Sequence, residues 1–176
     1  MTADKEFGTA LYELASEERA EAEILESLSE VLAIMQNNPA YEKLLSNPAL
    51  EKQERISLIE SAFGESIHRY VVNFIKILCE RKALSLLEGC TREYRELLYE
   101  ARGILPVTAQ SAVELTSEQT QRLQTKLEAI TGKKILLTSK VDKLLIAGIR
   151  ISYEGRMLDG TVKQRFEALQ KTLITA

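Results

Sequence analysis

The sequence predicts a mainly α-helical protein with a small α+β part: a six-helix bundle over residues 1–104, then a small domain of β-sheet and helix over residues 105–176. Three observations lead to this prediction. Apolar side chains recur at helical spacing as far as Arg102, the character of the chain changes at Gly103, and β-patterned runs alternate with helical ones after it. The apolar content of 45% supports a packed core, and an aromatic share of 6% without Trp favours aliphatic helix packing.

Apolar stripes and chain breakers delimit the six predicted helices. Pro39 and Pro48 each follow an Asn and end the second helix and the short third one. Gly64 suits the C-terminal cap of a fourth helix over about residues 50–62. The stripes of the first, second, fifth and sixth helices are Phe7, Ala10, Leu11 and Leu14; Ile24, Leu28, Val31 and Met35; Ile67, Tyr70, Val71, Phe74 and Leu78; and Leu87, Cys90, Tyr94, Leu97 and Ala101.

The α+β part begins with a short strand over residues 104–109. Because Pro has no N–H to donate, Pro106 is expected either in an edge strand or at the start of a strand. Thr116 and Gln119 form a capping box, which predicts a helix that begins there and stops at Gly132. A second strand is predicted over residues 135–137.

The end of the chain predicts a hairpin followed by a helix. Residues 149–153 alternate apolar and polar side chains, the period of a strand with one buried face. Glu154-Gly155 fits a tight turn into a short further strand. After Asp159-Gly160, one helical stripe is formed by Val162, Phe166, Leu169 and Leu173.

Composition restricts the class of protein. The chain has neither an apolar run near about 18 residues nor an N-terminal leader, so we expect no membrane span and no secretory signal, and a cytoplasmic bacterial protein is the simplest interpretation. Residues 1–103 carry 12 basic and 19 acidic residues, a charge of -7, whereas residues 104–176 carry 11 and 7, a charge of +4. Opposite signs suggest two domains with different partners.

Two cysteines and one histidine offer little chemistry. Cys79 and Cys90 would lie roughly 16 Å apart even on one helix, too far for a disulfide, and are interpreted as reduced, buried hydrophobes. His68 is the only imidazole and has no Cys or carboxylate at ligand spacing, so it is interpreted as a surface residue. No catalytic, cofactor or metal site is predicted.

Three other features have a functional and a structural interpretation. Residues 155–161 resemble a phosphate-binding loop but lack its Lys and fall in a predicted hairpin. Asp142 and Asp159 could form a carboxylate pair, but their positions at a turn and a helix start favour hydrogen bonds to backbone N–H groups. The basic residues after Gly103 are scattered and few aromatic residues accompany them, which argues against nucleic acid binding.

A shallow groove on the first helix is a further possibility. Gly8 and Ala10 are small, and a partner helix could lie over them with apolar anchors at helical spacing.

Four segments, in order along the chain, resemble the family of δ subunits of bacterial rotary ATP synthases, which are related to the mitochondrial oligomycin-sensitivity-conferring protein. The last segment departs from the family pattern at Lys143, Ala147 and Thr161, and the first departs from it at Phe7 and Gly8. The segments are Phe7-Gly8-Thr9-Ala10-Leu11-Tyr12-Glu13-Leu14-Ala15; Asn73-Phe74-Ile75-Lys76-Ile77-Leu78-Cys79-Glu80-Arg81-Lys82; Pro106-Val107-Thr108-Ala109; and Val141-Asp142-Lys143-Leu144-Leu145-Ile146-Ala147-Gly148-Ile149-Arg150-Ile151-Ser152-Tyr153 with Asp159-Gly160-Thr161-Val162-Lys163.

The resemblance implies a non-catalytic stator subunit of a rotary proton-translocating ATP synthase, one that links the catalytic head to the peripheral stalk and resists rotation during ATP synthesis. It implies one copy per complex, at the cytoplasmic face of the bacterial plasma membrane and peripheral to it, with no membrane insertion, no nucleic acid and no cofactor. Whether the coupling ion is H⁺ or Na⁺ stays open.

The resemblance also implies two binding regions. The helical domain would bind the N-terminal helix of an α subunit between its first and fifth helices, through Phe7, Ala10, Leu11, Leu14, Asn73, Phe74 and Ile77. The second domain would bind the b subunits of the peripheral stalk around residues 141–161, where the stalk-binding or structural residues are Asp142, Gly148, Asp159 and Gly160. The alternatives are a free-standing helical adaptor or regulator and a small nucleic-acid-binding protein.

Overall fold

The computed structural model of the protein describes residues 2–47, 49–145, 148–153 and 156–159. The chain divides into two compact units, Met1–Leu98 and Tyr99–Ala176. Within the described residues, α-helices dominate and one small sheet follows them, which confirms the predicted fold class. The domain boundary predicted after residue 104, between two parts that bind different partners, stays a prediction.

Six α-helices over the described residues as far as Ala101 agree with the predicted bundle. They are α1 (Ala3–Glu17), α2 (Glu21–Asn37), α3 (Pro39–Leu45), α4 (Lys52–Phe63), α5 (Arg69–Glu80) and α6 (Leu87–Ala101). A short 3-10 turn, Leu84–Leu86, precedes α6 and was not predicted.

The helix ends follow local chemistry. Pro39 occupies the first turn of α3, where its missing N–H has no intrahelical partner to lose. Gly64 caps α4 as predicted, but in right-handed backbone geometry, with φ of -62°. The left-handed ends occur instead at Arg19 and Lys82, with φ of 56° and 55°. Glycine usually occupies such positions because it has no Cβ to clash with the following carbonyl.

The core of the first unit is aliphatic, as the composition predicted. Tyr94 is fully buried, and its hydroxyl donates to the Glu21 carbonyl oxygen over 3.0 Å. Both cysteines are free and buried, which confirms their predicted state. Burial raises the pKa of the Cys79 thiol and raises the pKa of Cys90 to about 11. The largest fully buried aliphatic and phenyl side chains are Phe63, Ile24, Leu28, Leu45, Ile59, Ile75, Leu78, Val31 and Val71.

The second unit contains a four-stranded sheet with one helix between its first two strands. Its elements are β1 (Ile104–Ser111), α7 (Ser117–Thr131), β2 (Lys134–Val141), β3 (Ile149–Tyr153) and β4 (Arg156–Asp159). The strand order is β2-β1-β3-β4. β1 is parallel to β2, and β3 is antiparallel to both β1 and β4. Leu105, Val107, Leu127 and Ile135 form the small core that α7 shares with β1 and β2.

Of the two positions predicted for Pro106, a sheet edge or a strand start, the structure shows the second, because Pro106 is the third residue of β1. β1 is a central strand of the sheet, not an edge strand. Pro106 pairs with Leu136 of β2, but β3 pairs only with Thr108–Ser111. Pro106 therefore lies beyond the β3 ladder, where its missing N–H removes no bond between these two strands.

The capping box of α7 is confirmed. The Gln119 N–H donates to Thr116 Oγ1 over 3.2 Å, and the Thr116 N–H donates to Gln119 Oε1 over 3.0 Å. Gly132 ends the helix with φ of 67°, the left-handed geometry that favours glycine.

The predicted hairpin is supported by its register. Tyr153 pairs with Arg156, as a two-residue connection requires. The turn residues Glu154-Gly155 and the predicted last helix after Gly160 lie outside the described residues.

Lys82 provides a test of the backbone argument. We expect Lys82→Gly to raise the free energy of unfolding by about 0.5–1 kcal/mol, because glycine removes the steric cost of positive φ but also enlarges the entropy of the unfolded chain. Lys82 is exposed, so little packing is lost. The control is Lys82→Ala, which removes the same side chain and keeps the steric cost. Urea denaturation of the full chain measures both variants, and equal stability of the two would contradict the argument.

Candidate functional site

A shallow apolar groove lies between α1 and α5 in the first unit. Its volume is about 350 Å³. The structure brings together in it all seven residues that the family resemblance assigned to α-subunit binding. The groove is lined by Phe7, Ala10, Leu11, Leu14, Tyr70, Asn73, Phe74 and Ile77.

Helical periodicity produces both walls of the groove. On α1 the lining residues recur at the spacing i, i+3, i+4 and i+7, and on α5 the same spacing recurs from Tyr70 to Ile77. Residues at this spacing lie on one face of a helix, so each helix contributes one continuous stripe. Two stripes of about two turns each can hold two turns of a third helix.

The groove has a buried floor and an exposed rim. Leu11 is 5% exposed and Phe74 is 6% exposed. The rings of Phe7 and Phe74 meet edge to face with centroids 6.5 Å apart, so they join α1 to α5 at the floor. At the rim, Leu14 is 38% and Ile77 is 46% exposed. Only one other large apolar side chain, Leu44, is comparably exposed among the described residues of the first unit.

Positive charge lies at both ends of the α5 wall. The Arg69 guanidinium stands 4.8 Å from the centroid of the Tyr70 ring, and its Nη2 donates to the Tyr70 hydroxyl over 3.0 Å. The Arg81 guanidinium stands 5.6 Å from the centroid of the Phe7 ring. Both aromatic residues are thus held partly by a cation over the ring.

Two details of the groove differ from the sequence interpretation. Tyr70 lines the groove but was not assigned to it, although it lies four residues before Phe74 on the same predicted stripe. Gly8 was expected to help form the groove and does not. It is buried against α6, where an added Cβ would lie 2.8 Å from the Cys90 carbonyl oxygen. Its small size therefore serves close packing of α1 on α6, and of the two small residues only Ala10 leaves space in the groove.

The residues assigned to stalk binding or to structure are only partly described. The Asp142 carboxylate accepts from the Leu144 N–H over 3.0 Å and pairs with Arg150 over 3.9 Å. The local hydrogen bonding predicted for Asp142 is confirmed. Gly148 has φ of 96°, which favours glycine. The Asp159 side chain and Gly160 lie outside what the structure describes, and stalk binding by this region stays a prediction.

His68 has a structural role that the sequence interpretation missed. It is half-buried at the N-cap of α5, and its Nδ1 accepts from the Tyr70 N–H over 3.3 Å. The signal was its position at the start of the predicted fifth helix, where a side-chain acceptor can satisfy a free backbone N–H. Its imidazole thus helps to position Tyr70, the residue at one end of the groove.

The described ranges contain no cluster of three or more potential metal ligands. In the same ranges, no helix combines the length and the apolar character that crossing a bilayer would require.

Sequence comparisons with known proteins agree over almost the whole chain. The family described as "ATP synthase delta (OSCP) subunit" matches residues 3–173. ATP synthase subunit delta of Clostridioides difficile is 27% identical, over 95% of this chain and 93% of that protein. The sodium-ion-specific subunit delta of Ilyobacter tartaricus is 28% identical, over 95% of each chain.

Solved structures share the fold. A chain of the Toxoplasma gondii mitochondrial ATP synthase hexamer aligns with a TM-score of 0.74 and 15% identity, over 99% of this chain and 98% of that one. A chain of the Polytomella F-ATP synthase aligns with a TM-score of 0.51 and 20% identity, over 56% of this chain and 87% of that one. With the family match covering almost every residue, this chain belongs to the ATP synthase delta (OSCP) subunit family.

Proposed function

We propose that this chain is the δ subunit of a rotary ATP synthase, a non-catalytic stator component that links the catalytic head to the peripheral stalk. While the central shaft turns, the head must not follow it, and δ would carry the reaction torque. The family match over residues 3–173 supports this proposal. Because relatives include a sodium-ion-specific subunit, the proposal covers enzymes coupled to either H⁺ or Na⁺.

The observation that carries the proposal furthest is the apolar groove between α1 and α5. We propose that it binds the N-terminal helix of an α subunit. Its two stripes match the anchor spacing of an amphipathic helix, and its exposed rim residues, Leu14 and Ile77, would lose contact with water on docking. Each apolar side chain that becomes buried contributes about 1.5–3 kcal/mol if burial is complete.

Apolar contact suits a stator. A tether that is loaded at every turn needs slow dissociation, and buried anchors determine dissociation rates more than exposed ion pairs do. Exposed pairs contribute only about 0–1 kcal/mol each. The two arginines at the ends of the α5 wall would therefore orient the docked helix more than they would hold it.

We propose that the second unit binds the b subunits of the peripheral stalk. The opposite charges of the two parts of the chain, -7 over residues 1–103 and +4 over residues 104–176, support separate partners. In this arrangement the protein is peripheral to the membrane-bound complex, at its cytoplasmic face in a bacterium, and is present once per complex. The stalk contact would lie around residues 141–161.

A pull-down from cell lysate distinguishes this proposal from the alternatives. We expect the tagged full chain to recover the α, β and b subunits together, because a stator subunit contacts both the head and the stalk. A free-standing adaptor would recover other proteins, and a nucleic-acid-binding protein would recover material that nuclease treatment removes. The family match does not favour either alternative.

Ala10→Asp tests the groove. Ala10 is exposed on α1 and lines the groove, so the fold should tolerate the change. Docking would then bury an unpaired carboxylate, which costs at least a few kcal/mol. We expect affinity for a peptide of the α-subunit N-terminus to fall roughly a hundredfold, which corresponds to about 2.7 kcal/mol. Calorimetry measures the affinity and circular dichroism checks the fold.

The matched control for this variant is Ala22→Asp. Ala22 is also an exposed helical alanine of the first unit, in the first turn of α2 and away from the groove. Its substitution introduces the same charge and should leave peptide affinity unchanged. Equal affinities of both variants and the unmodified chain would place the docking site elsewhere.

A fragment of residues 1–104 tests the division of labour. The helices α1 to α6 share one core cluster, so we expect the fragment to fold and to bind the α-subunit peptide with the affinity of the full chain. It should lose affinity for the b subunits. Separate titrations with each partner measure this, after circular dichroism has shown helical structure. Full affinity of the fragment for b would move the stalk contact onto the helical unit.

A further inference from the structure

A second cavity, between α4 and α5, differs in chemistry from the groove. Its volume is about 300 Å³, the lower end of the range of small-molecule sites. It shares no lining residue with the groove, so it lies on another face of α5. It is lined by Lys52, Arg55, Ile56, Ile59, Lys76, Cys79 and Glu80.

Three cations face this cavity. Lys52 pairs with Glu80 over 3.0 Å, and Lys76 pairs with Glu60 over 2.6 Å. Three cations against these two carboxylates leave one net positive charge. The side chains of the Lys52–Glu80 pair are 68% and 44% exposed, and exposed ion pairs of this kind are weak. An incoming anion can therefore replace Glu80 as the partner of Lys52 at little cost.

The arginine of the cavity is held in place. Arg55 donates from Nε and from Nη2 to the Leu50 carbonyl oxygen, over 3.1 Å and 2.6 Å. A guanidinium has five N–H donors, so these two bonds fix its plane and leave further N–H groups for a ligand. A planar, fixed guanidinium suits the two oxygens of a carboxylate or a phosphate.

The inner wall of the cavity is apolar and uncharged. Ile59 is fully buried, Ile56 is half-buried, and Cys79 is 4% exposed. Burial raises the pKa of the Cys79 thiol, and the charge of Arg55 offsets part of this rise. The thiol stays protonated at neutral pH, so it does not repel an anion beside it.

We propose that this cavity binds a small organic anion, with its apolar body on Ile56 and its carboxylate or phosphate on Lys52, Arg55 and Lys76. The cations supply the charge, and the half-buried Ile56 favours a ligand with an apolar body over a fully hydrated inorganic ion. The inference uses only contacts within the first unit and does not depend on the proposed role in an ATP synthase.

The binding test uses the full chain labelled with ¹⁵N and four probes. The probes are benzoate, phenyl phosphate, inorganic phosphate and benzyl alcohol, which separate the carboxylate, the phosphate and the apolar body. We expect saturable amide shifts at Ile56, Ile59 and Cys79 with benzoate or phenyl phosphate. Inorganic phosphate and benzyl alcohol should each bind about tenfold more weakly, because each lacks one half of the recognition. Equal binding of inorganic phosphate and the organic anions would overturn the proposal.

Two matched lysine variants test whether the positive charge of Lys76 binds the anion. Lys76→Met keeps the aliphatic stem and removes the ammonium, and we expect the dissociation constant for the better organic anion to rise about tenfold. Lys5→Met removes another paired lysine of the same unit, one that lies 3.3 Å from Glu93 and outside the cavity. It should change nothing. An unchanged affinity in Lys76→Met would show that the cations serve only to join α4 and α5.

Thiol alkylation gives a test on the unmodified chain. A ligand in the cavity should slow alkylation of Cys79, because it covers the thiol and occupies Arg55. Cys90 is buried elsewhere and does not line the cavity, so its rate is the internal reference. Peptide mass spectrometry follows both residues. If the alkylation rate of Cys79 is unchanged at saturating benzoate and at saturating phenyl phosphate, binding in this cavity is contradicted.

Discussion

The packing of α5 is the constraint on which the rest of the first unit depends. Six of its side chains are buried: Val71, Val72, Phe74, Ile75, Leu78 and Cys79. A helix buried over so wide an arc has little freedom to shift, because neighbouring side chains interdigitate at close to crystal density. Its ends are also defined, by His68 at the N-cap and by the left-handed Lys82 after the last turn. This one rigid helix forms a wall of both the groove and the charged cavity.

The groove results from an incomplete contact between α1 and α5. The rings of Phe7 and Phe74 join the helices at the floor, but short Ala10 and polar Asn73 do not fill the space above. Filling it within the chain would stabilise the free protein and remove the proposed docking surface. Exposing Leu14 and Ile77 therefore costs solubility in the free chain, and that cost disappears if a partner helix covers them.

The sequence predicted the elements better than it predicted their neighbours. Helix stripes, the capping box of α7 and the left-handed Gly132 depend on residues close in sequence, and all were predictable. The seven groove residues came from the family resemblance, and periodicity alone could not show that α1 faces α5. Gly8 was misjudged because its packing depends on α6, a partner far along the chain. Which of the two predicted positions Pro106 occupies likewise depends on the distant, short β3.

The charged cavity could not be predicted from the sequence, because its residues also come together from distant parts of the chain. Its cations come from two helices, and the pairings Lys52–Glu80 and Lys76–Glu60 each join α4 to α5. Nothing in the spacing of these residues marks them, because lysines and glutamates on exposed helix faces are normally solvated. The left-handed backbone of Lys82 could not be predicted either, since the usual sequence signal for such a helix end is glycine.

The groove and the charged cavity offer a ligand different interactions, so binding at each should depend differently on solution conditions. The groove offers apolar area, whose contribution persists as salt rises, whereas the cavity offers charge, which salt screens over about 8–10 Å. Helix docking at the groove and anion binding at the cavity would thus respond differently to ionic strength while sharing one rigid helix. Because α5 is packed over so much of its surface, occupation of one face has little room to displace the other. The simplest expectation from the packing is that the two sites act independently.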